Sequence, residues 1–473
     1  MTLVVCADHD TPVPRSNRLP CDVVAVPGLC RDPATIAGAG VDDPEALILH
    51  LGEFDLGFVQ GAIRATGVDP LGVPIVTLGD MPSPDQIDVL AAGAMARHAA
   101  FPGSRPEHAK MRWPELISRR RLFALNVPQY VGAPSIDPST CVAEQGCRLC
   151  VDTCPASALT WSSGTVAFDV DTCAACGICV TTCPTRATTN PTITEAQIAS
   201  QIEAMVRASS TPLGIEFRCR DARPRPLAEG WFLVEVPCTG MLTIGWILAP
   251  LTLGAGAVAA PTCGESGCGI GNDEVLAPRR TAARMLLDEL GLFTGLVRDG
   301  AAHAIPAPIG GDTAHRPNTF RDADVFLALA DLANTTDTLF TSDVASIGVV
   351  TIDGATCTIC EQCTSVCPPG ALASRHHDGI VDISFDPFTC VGCAMCINTC
   401  PEIDSDAIIL DRTFDLAELV LGNRVILSGS TAVCEVCGGP IAPSAMLDRI
   451  QSMLGPDHAG TLDLISRRCL KCR

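Results

Sequence analysis

Positive charge is scarce in this chain. Its 473 residues carry 32 lysines and arginines against 53 aspartates and glutamates, a formal net charge of −21. Only Lys110 and Lys471 are lysines, a bias we read as genomic base composition rather than mechanism. The deficit argues against wrapping nucleic acid or an anionic membrane surface, whose phosphates demand clustered cations. Charged residues make up only 18% and hydrophobic ones 47%, with a mean hydropathy of +0.30. That is too apolar for intrinsic disorder and sufficient for sizeable cores. At ~150 residues per domain, about three domains are expected.

Several motifs are missing as well. Residues Met1 to Asp10 hold an apolar Leu3-Val4-Val5 but no basic n-region and no long h-region, so a secretory signal is not expected and the chain is read as cytoplasmic. Cytosolic thiols stay reduced, which makes the 27 cysteines, an odd number, poor candidates for a disulfide framework. Metal ligation is the better use for them. No complete G-x-G-x-x-G occurs, because Gly38-Ala39-Gly40 and Gly254-Ala255-Gly256 lack the third glycine. A P-loop, an H-E-x-x-H and the histidine-flanked CxxC pairs that hold nickel are also missing, so no catalytic residue is assigned. The charge-free stretch from Met241 to Pro261 is long enough for a membrane span. Its Gly245, Pro250, Gly254 and Gly256 favour a buried helix followed by a buried strand, so no span is expected.

The cysteines are organised. The first block reads Cys141, Cys147, Cys150, Cys154-Pro155, then Cys173, Cys176, Cys179, Cys183-Pro184. The second reads Cys357, Cys360, Cys363, Cys367-Pro368, then Cys390, Cys393, Cys396, Cys400-Pro401. Three of the four runs are C-x2-C-x2-C-x3-C-P, and the first departs only in its longer Cys141-to-Cys147 loop. Zinc is the competing use of CxxC pairs, but this grammar resembles the bacterial-type ferredoxins that bind two 4Fe-4S clusters. The short loop wraps three thiolates round one cube, and the fourth cysteine reaches the other cluster. The resemblance implies four 4Fe-4S clusters. Their ligand sets would be Cys141, Cys147, Cys150 and Cys183; Cys173, Cys176, Cys179 and Cys154; Cys357, Cys360, Cys363 and Cys400; and Cys390, Cys393, Cys396 and Cys367. Cys141 is the ligand that the inserted residues, about Ala143 to Gln145, put most in question.

The chain is also duplicated. Cys147, Cys150 and Cys154 lie 213 residues before Cys360, Cys363 and Cys367, and Cys6 lies 213 before Cys219. Val24 to Pro27 resembles Val234 to Pro237, and Gln60 to Gly67 matches the helical pattern of Arg280 to Gly291. Two copies of one unit follow, each an α/β domain of flavodoxin-like or Rossmann-like type and then a two-cluster ferredoxin domain. The expected boundaries are 1–130 for a degenerate α/β domain, 131–192 for a ferredoxin domain, 193–340 for the second α/β domain, 341–415 for the second ferredoxin domain and 428–473 for a metal-binding tail. A helix over 190–210 should join the halves, and 301–318 reads as a Pro/Gly-rich loop.

In the second α/β copy, Leu213 to Phe217 and Phe232 to Val236 suit parallel strands, and Met241 to Leu248 and Arg279 to Leu290 have helical spacing. Cys219 and Cys238 follow the strands, and cysteines at strand carboxyl ends gather at one edge of such a sheet. With Val236-Pro237-Cys238-Thr239-Gly240, Cys263-Gly264-Glu265-Ser266-Gly267-Cys268, Gly271-Asn272 and Arg279-Arg280, the stretch from Leu213 to about Leu296 resembles the delta subunit of methyl-viologen-reducing hydrogenase. That resemblance implies one 2Fe-2S cluster held by Cys219, Cys238, Cys263 and Cys268, buried structural cysteine or zinc being the competing reading. It also implies redox partners such as a hydrogenase, a formate dehydrogenase or a heterodisulfide-reductase-like protein. The first copy has Leu51 and Leu56 where the C-x4-C pair would fall, so it reads as a scaffold without a cluster. A cluster on Cys6, Cys21, Cys30 and His50 is the sharper alternative.

Cys434-x2-Cys437 and Cys469-x2-Cys472 resemble a zinc ribbon or treble-clef tail holding one zinc ion, a further iron–sulfur centre being the alternative. Between them Ser444 to Leu454 has amphipathic helical spacing. The arginine-rich stretch Lys110 to Arg121 reads as a solvated helix face, with docking of an acidic partner the alternative. The sequence therefore shows conductors without a place for substrate chemistry, the pattern of an iron–sulfur electron-transfer subunit of a multi-subunit oxidoreductase. The alternative is a stand-alone reductase acting on a small substrate at an open-coordinated cluster, such as the one involving Cys141. A redox sensor ranks last, since no DNA-reading basic motif is present.

Overall fold

The structure, a computed structural model, describes residues 2–7, 22–29, 32, 35–39, 41, 44, 46–50, 56–78, 83–104, 109–112, 129–222, 227–263, 270–302, 304–310, 316–454 and 465–472. Cys21, Cys30, Leu51, Cys268 and Arg119 to Arg121 lie outside them, as does the His50 side chain. The chain divides into two compact units, one of residues 1–141, 149–162 and 166–335, the other of 142–148, 163–165 and 336–473.

The first unit opens on four parallel strands, β1 (Thr2–Cys6), β2 (Asp22–Val26), β3 (Ala46–His50) and β4 (Ile75–Leu78), in the order β2-β1-β3-β4. The period of two along β1 divides its side chains between two cores. Leu3 and Val5 pack with Ile87, Ala91 and Met95 of helix α2 (Pro84–Ala99). Val4 and Cys6 face the other way, into a cluster with Val59 and Ile63 of helix α1 (Leu56–Ala65). Helices on both faces are what a parallel sheet requires to bury its near-continuous apolar strands. Next come β5 (Ala109–Arg112) and β6 (Gln129–Gly132), an antiparallel pair. The solvated helix expected from Lys110 is thus a strand over the residues described, held by this pairing.

The second copy repeats the topology. Helix α3 (Glu195–Ala208) precedes β7 (Gly214–Cys219), β8 (Trp231–Val236), α4 (Ile244–Thr252), β9 (Ala257–Ala259), α5 (Asp273–Glu289) and β10 (Val297–Arg298). The sheet is again parallel, in the order β8-β7-β9-β10, which is the first copy's order element for element. Each sheet is followed by a helix, α2 in the first copy and α6 (Asp322–Leu332) in the second. Helices α2 and α3 both begin with a capping box, Ser83 with Gln86 and Thr194 with Gln197, which satisfies donors that a helix start leaves free. The two helices pack together, Gly93 against Met205. Arg97 of α2 ties the copies further, donating to Gln201 Oε1 at 3.1 Å and to the carbonyls of Glu235 and Thr192, each at 3.0 Å.

The apolar stretch at 241–261 forms α4 and β9, and among the described residues no helix is long and apolar enough to cross a membrane. Its glycines sit where backbones meet. A Cβ on Gly245 would lie 2.4 Å from the Phe320 carbonyl oxygen, and one on Gly256 would lie 2.1 Å from that of Pro306.

Both cysteine blocks fold alike. In the first block Ser135–Ile136 pairs with Thr188–Thr189, and Leu159–Ser162 forms a two-stranded sheet with Thr165–Phe168. In the second unit β11 (Val349–Ile352) pairs with β14 (Ile408–Asp411), around a hairpin of β12 (Leu372–His377) and β13 (Ile380–Phe385). Here the hairpin continues: β15 (Arg424–Val433) pairs with β13, and β16 (Pro440–Pro443) completes a four-stranded sheet. Helix α7 covers Ser444–Leu454, the span its spacing indicates.

Gly256→Ala forces a methyl into backbone and is expected to cost about 1–3 kcal/mol. Gly61→Ala, in α1 with open space around it, is expected to stabilise by about 0.5–1 kcal/mol. Thermal unfolding midpoints of the two variants should therefore move in opposite directions.

Candidate metal centres

The C-x2-C-x2-C loops are wound by alternate left-handed residues. After Cys173 these are Ala175 and Gly177; after Cys357, Ile359 and Glu361; after Cys390, Gly392 and Ala394, all with φ between +51° and +81°. Only glycine adopts this region freely, and a β-branched isoleucine there is a true outlier. Strain of this kind persists where surrounding structure and function over-determine it. The result is a tight coil with its thiols inward. The amide of the first left-handed residue then points back at sulfur, Ala175 to Cys173 at 3.2 Å, Ile359 to Cys357 at 3.4 Å and Gly392 to Cys390 at 3.5 Å. Amides also reach the fourth cysteines of two runs, Ala158 to Cys154 at 3.3 Å and Leu372 to Cys367 at 3.4 Å. Hydrogen bonds to sulfur are a lever on cluster potential. In the first run the three inserted residues, Ala143–Gln145, form one 3₁₀ turn that ends at left-handed Gly146. The four thiols expected for this run's cluster, Cys141, Cys147, Cys150 and Cys183, are all half-buried.

The thiols meet in crossed sets. In the second unit Cys357, Cys360, Cys363 and Cys400 line one cavity with Ile352 and Ile408. Burial pushes the Cys363 thiol up to about 12, with the charges of Cys357, Cys360, Cys396 and Cys400 adding to it. Burial does the same for Cys396, to about 12, followed by Cys390, Cys393 and Cys367. In the first unit the Cys179 thiol is raised strongly by burial and then by Cys176, Cys173, Cys150 and Cys154. In three of the four sets the last cysteine of one run therefore sits among the first three of the other: Cys400 with Cys357, Cys360 and Cys363, Cys367 with Cys390, Cys393 and Cys396, and Cys154 with Cys173, Cys176 and Cys179. A polypeptide can ionise such neighbours together only if a multiply charged cation sits between them, which matches the demand of a thiolate-ligated iron cube.

A third group of cysteines lies at the carboxyl edge of the second parallel sheet. Cys219 ends β7, Cys238 follows β8 and Cys263 follows β9, three adjacent strands. The three are buried in one cluster, with Cys176, Ala222 and Ile270 packed against it. Gly240 donates to Cys238 Sγ at 3.3 Å, and the Cys263 amide to the Gly271 carbonyl at 3.0 Å. A Cβ on Gly271 would lie 3.3 Å from Cys238 Sγ, so a side chain there would crowd the thiols. A hydrogen bond from Cys238 draws the Cys219 thiol down to about 6, against its burial, while the same bond and burial raise Cys238. The fourth expected ligand, Cys268, lies outside the described residues. In the first copy Cys6 holds the place of Cys219 at the end of β1, buried among Val26, Leu29 and Ile36.

The tail cysteines also converge. The sulfurs of Cys434, Cys437, Cys469 and Cys472 all lie within 4.8 Å of one another, a group that could hold a metal. Cys434 and Cys437 sit in the turn between β15 and β16. The Glu435 amide donates to the Arg467 carbonyl at 2.9 Å, joining the two knuckles. Backbone amides at Cys469 and Cys437 pull the Cys434 thiol down to about 6, as suits a metal-ligating thiolate.

Two contributors escape pattern reading. Lys110, on β5, donates from Nζ to the carbonyls of Cys173 at 2.5 Å and Asp171 at 2.8 Å. Together with Arg220 it opposes the effect of burial on the Cys173 thiol. Its rarity is the only signal the sequence offers. The left-handed positions are announced only by the two that are glycine, Gly177 and Gly392.

Comparison with protein families places a 4Fe-4S dicluster domain at residues 140–187 and again at 356–402. No curated protein matches the chain. The chain thus carries two tandem ferredoxin modules with capacity for four 4Fe-4S clusters.

Ile359→Gly relieves the left-handed strain and keeps the amide at Cys357, so full iron content is expected. Ile359→Pro can adopt neither the φ nor the hydrogen bond, and should lose about four iron atoms, one cluster. Iron analysis of anaerobically purified variants decides it.

Proposed function

We propose that this iron–sulfur electron-transfer protein works as a relay subunit of a larger redox complex. Single electrons would pass through its four 4Fe-4S clusters and one 2Fe-2S cluster, between a catalytic partner and an acceptor. The observation that carries the reading is the combination of two dicluster modules, their thiols crossed between runs, with a separate cysteine cluster at a sheet's carboxyl edge. The ligands are proposed to be the four crossed sets of the two blocks, with Cys219, Cys238, Cys263 and Cys268 holding the 2Fe-2S centre. Resemblance to the hydrogenase delta subunit makes a hydrogenase, a formate dehydrogenase or a heterodisulfide-reductase-like protein the proposed partner class. In such proteins the cofactors carry the redox step, and the chain sets spacing, burial and hydrogen bonding. The tail is proposed to hold one zinc ion in a tetrahedron of four thiolates that closes the end of the β15–β16 hairpin.

Anaerobically purified protein should contain about 18 iron atoms, four cubes plus one binuclear centre. Turnover of a small substrate should require an added partner protein. Rapid turnover by the isolated chain with a chemical reductant would replace the relay by a stand-alone reductase. Cys437→Ser should remove about one zinc while leaving iron unchanged; a parallel loss of iron would reassign the tail.

A further inference from the structure

We infer that the first ferredoxin module is the redox partner of the Cys219, Cys238 and Cys263 centre, the two meeting through Cys176. The inference rests on reading those three cysteines as 2Fe-2S ligands. It adds a claim that neither sequence spacing nor the family match contains, namely that this centre's immediate neighbour belongs to its own chain.

Three contacts carry it. Cys176, a proposed ligand of the cluster that also uses Cys154, Cys173 and Cys179, packs directly on the cluster of Cys219, Cys238 and Cys263. The next residue, Gly177, is left-handed and lies close against the second α/β domain, since a Cβ there would lie 3.0 Å from Met241 Sδ. One turn further on, Thr181 Oγ1 donates to the Met241 carbonyl at 2.9 Å, which pins the ferredoxin helix Ile178–Thr182 to the turn following Cys238. That turn is itself anchored, because Arg279 donates to the carbonyls of Gly240 at 2.7 Å and Leu242 at 2.8 Å. The docking is therefore built from cysteine, glycine and a fixed turn, and it brings half-buried Cys176 against the buried cysteines of the other site. Electron tunnelling falls off steeply with distance, and a ligand residue of one centre packed on the ligand residues of the other keeps that distance short.

The exchange is a one-electron step. With both clusters bound, the ferredoxin cluster would give up one electron and the neighbouring centre would take it, or the reverse. No covalent bond is made or broken, and a low-potential one-electron donor to the module supplies the electron. Cys173 of the same loop also senses this domain, because the charge of Arg220, the residue after Cys219, acts with that of Lys110 against the effect of burial on its thiol.

The test uses the full chain, purified anaerobically and reduced stepwise with dithionite. Mössbauer spectroscopy counts the 2Fe-2S centre whatever its neighbour does; its absence would remove the 2Fe-2S reading and this inference together. With the centre present, its electron paramagnetic resonance signal is expected to split, or to relax several-fold faster, once the adjacent cluster is reduced. In Cys154→Ala, which lacks a ligand of that adjacent cluster, the effect should vanish. A 2Fe-2S signal in the unmodified chain that is indifferent to reduction of the ferredoxin module overturns the inference and leaves the 2Fe-2S assignment standing.

Discussion

Thiolates brought within a few ångströms of one another repel, and low dielectric sharpens that repulsion. Everything local in the two modules answers this constraint. Burial and mutual charge hold Cys179, Cys363 and Cys396 far from ionising on their own. The chain nevertheless winds each of the three C-x2-C-x2-C loops through two left-handed residues. It aims backbone amides at several of the sulfurs. A fold arranged in this way gains its stability from what the sulfurs bind, and its backbone strain is repaid at the same place.

The ligand pattern is legible because it is local. Spacing of two residues between cysteines sets the loop, and the loop sets the reach. The parallel strands are legible for a similar reason: Gly214–Cys219 is buried throughout and has to be apolar, apart from Glu216 and Arg218, which pair at 2.7 Å. What sequence reading misses is tertiary. Lys110 reads as part of a helix face, yet strand pairing with Gln129–Gly132 places it against the carbonyl of a cysteine. Nothing in the Cys434 knuckle announces that its strand extends the ferredoxin hairpin through Ile380–Phe385. The left-handed Ile359 contradicts its own propensity, which marks a site where local preference yields to function.

The two α/β copies show what a duplication can lose and keep. Strand order and helix placement survive in both. The first sheet is covered on two faces by apolar packing from α1 and α2. Cys6 persists at the strand end where Cys219 stands in the second copy, but within a cluster of valine, leucine and isoleucine. In the second copy the same edge collects three cysteines and faces a ferredoxin ligand. One sheet architecture thus ends, in the second copy, in three clustered cysteines and, in the first, in Cys6 among apolar side chains.

The pairing of α2 with α3 has a topological effect. The two helices bracket the first ferredoxin module, so the segment between Ala99 and Glu195 is a loop with both ends tied by capped, packed helices and by Arg97. Closing a loop is entropically unfavourable, and here that cost is met by hydrophobic packing rather than by iron. The two ends of the module are thus held by contacts that involve none of its cysteines.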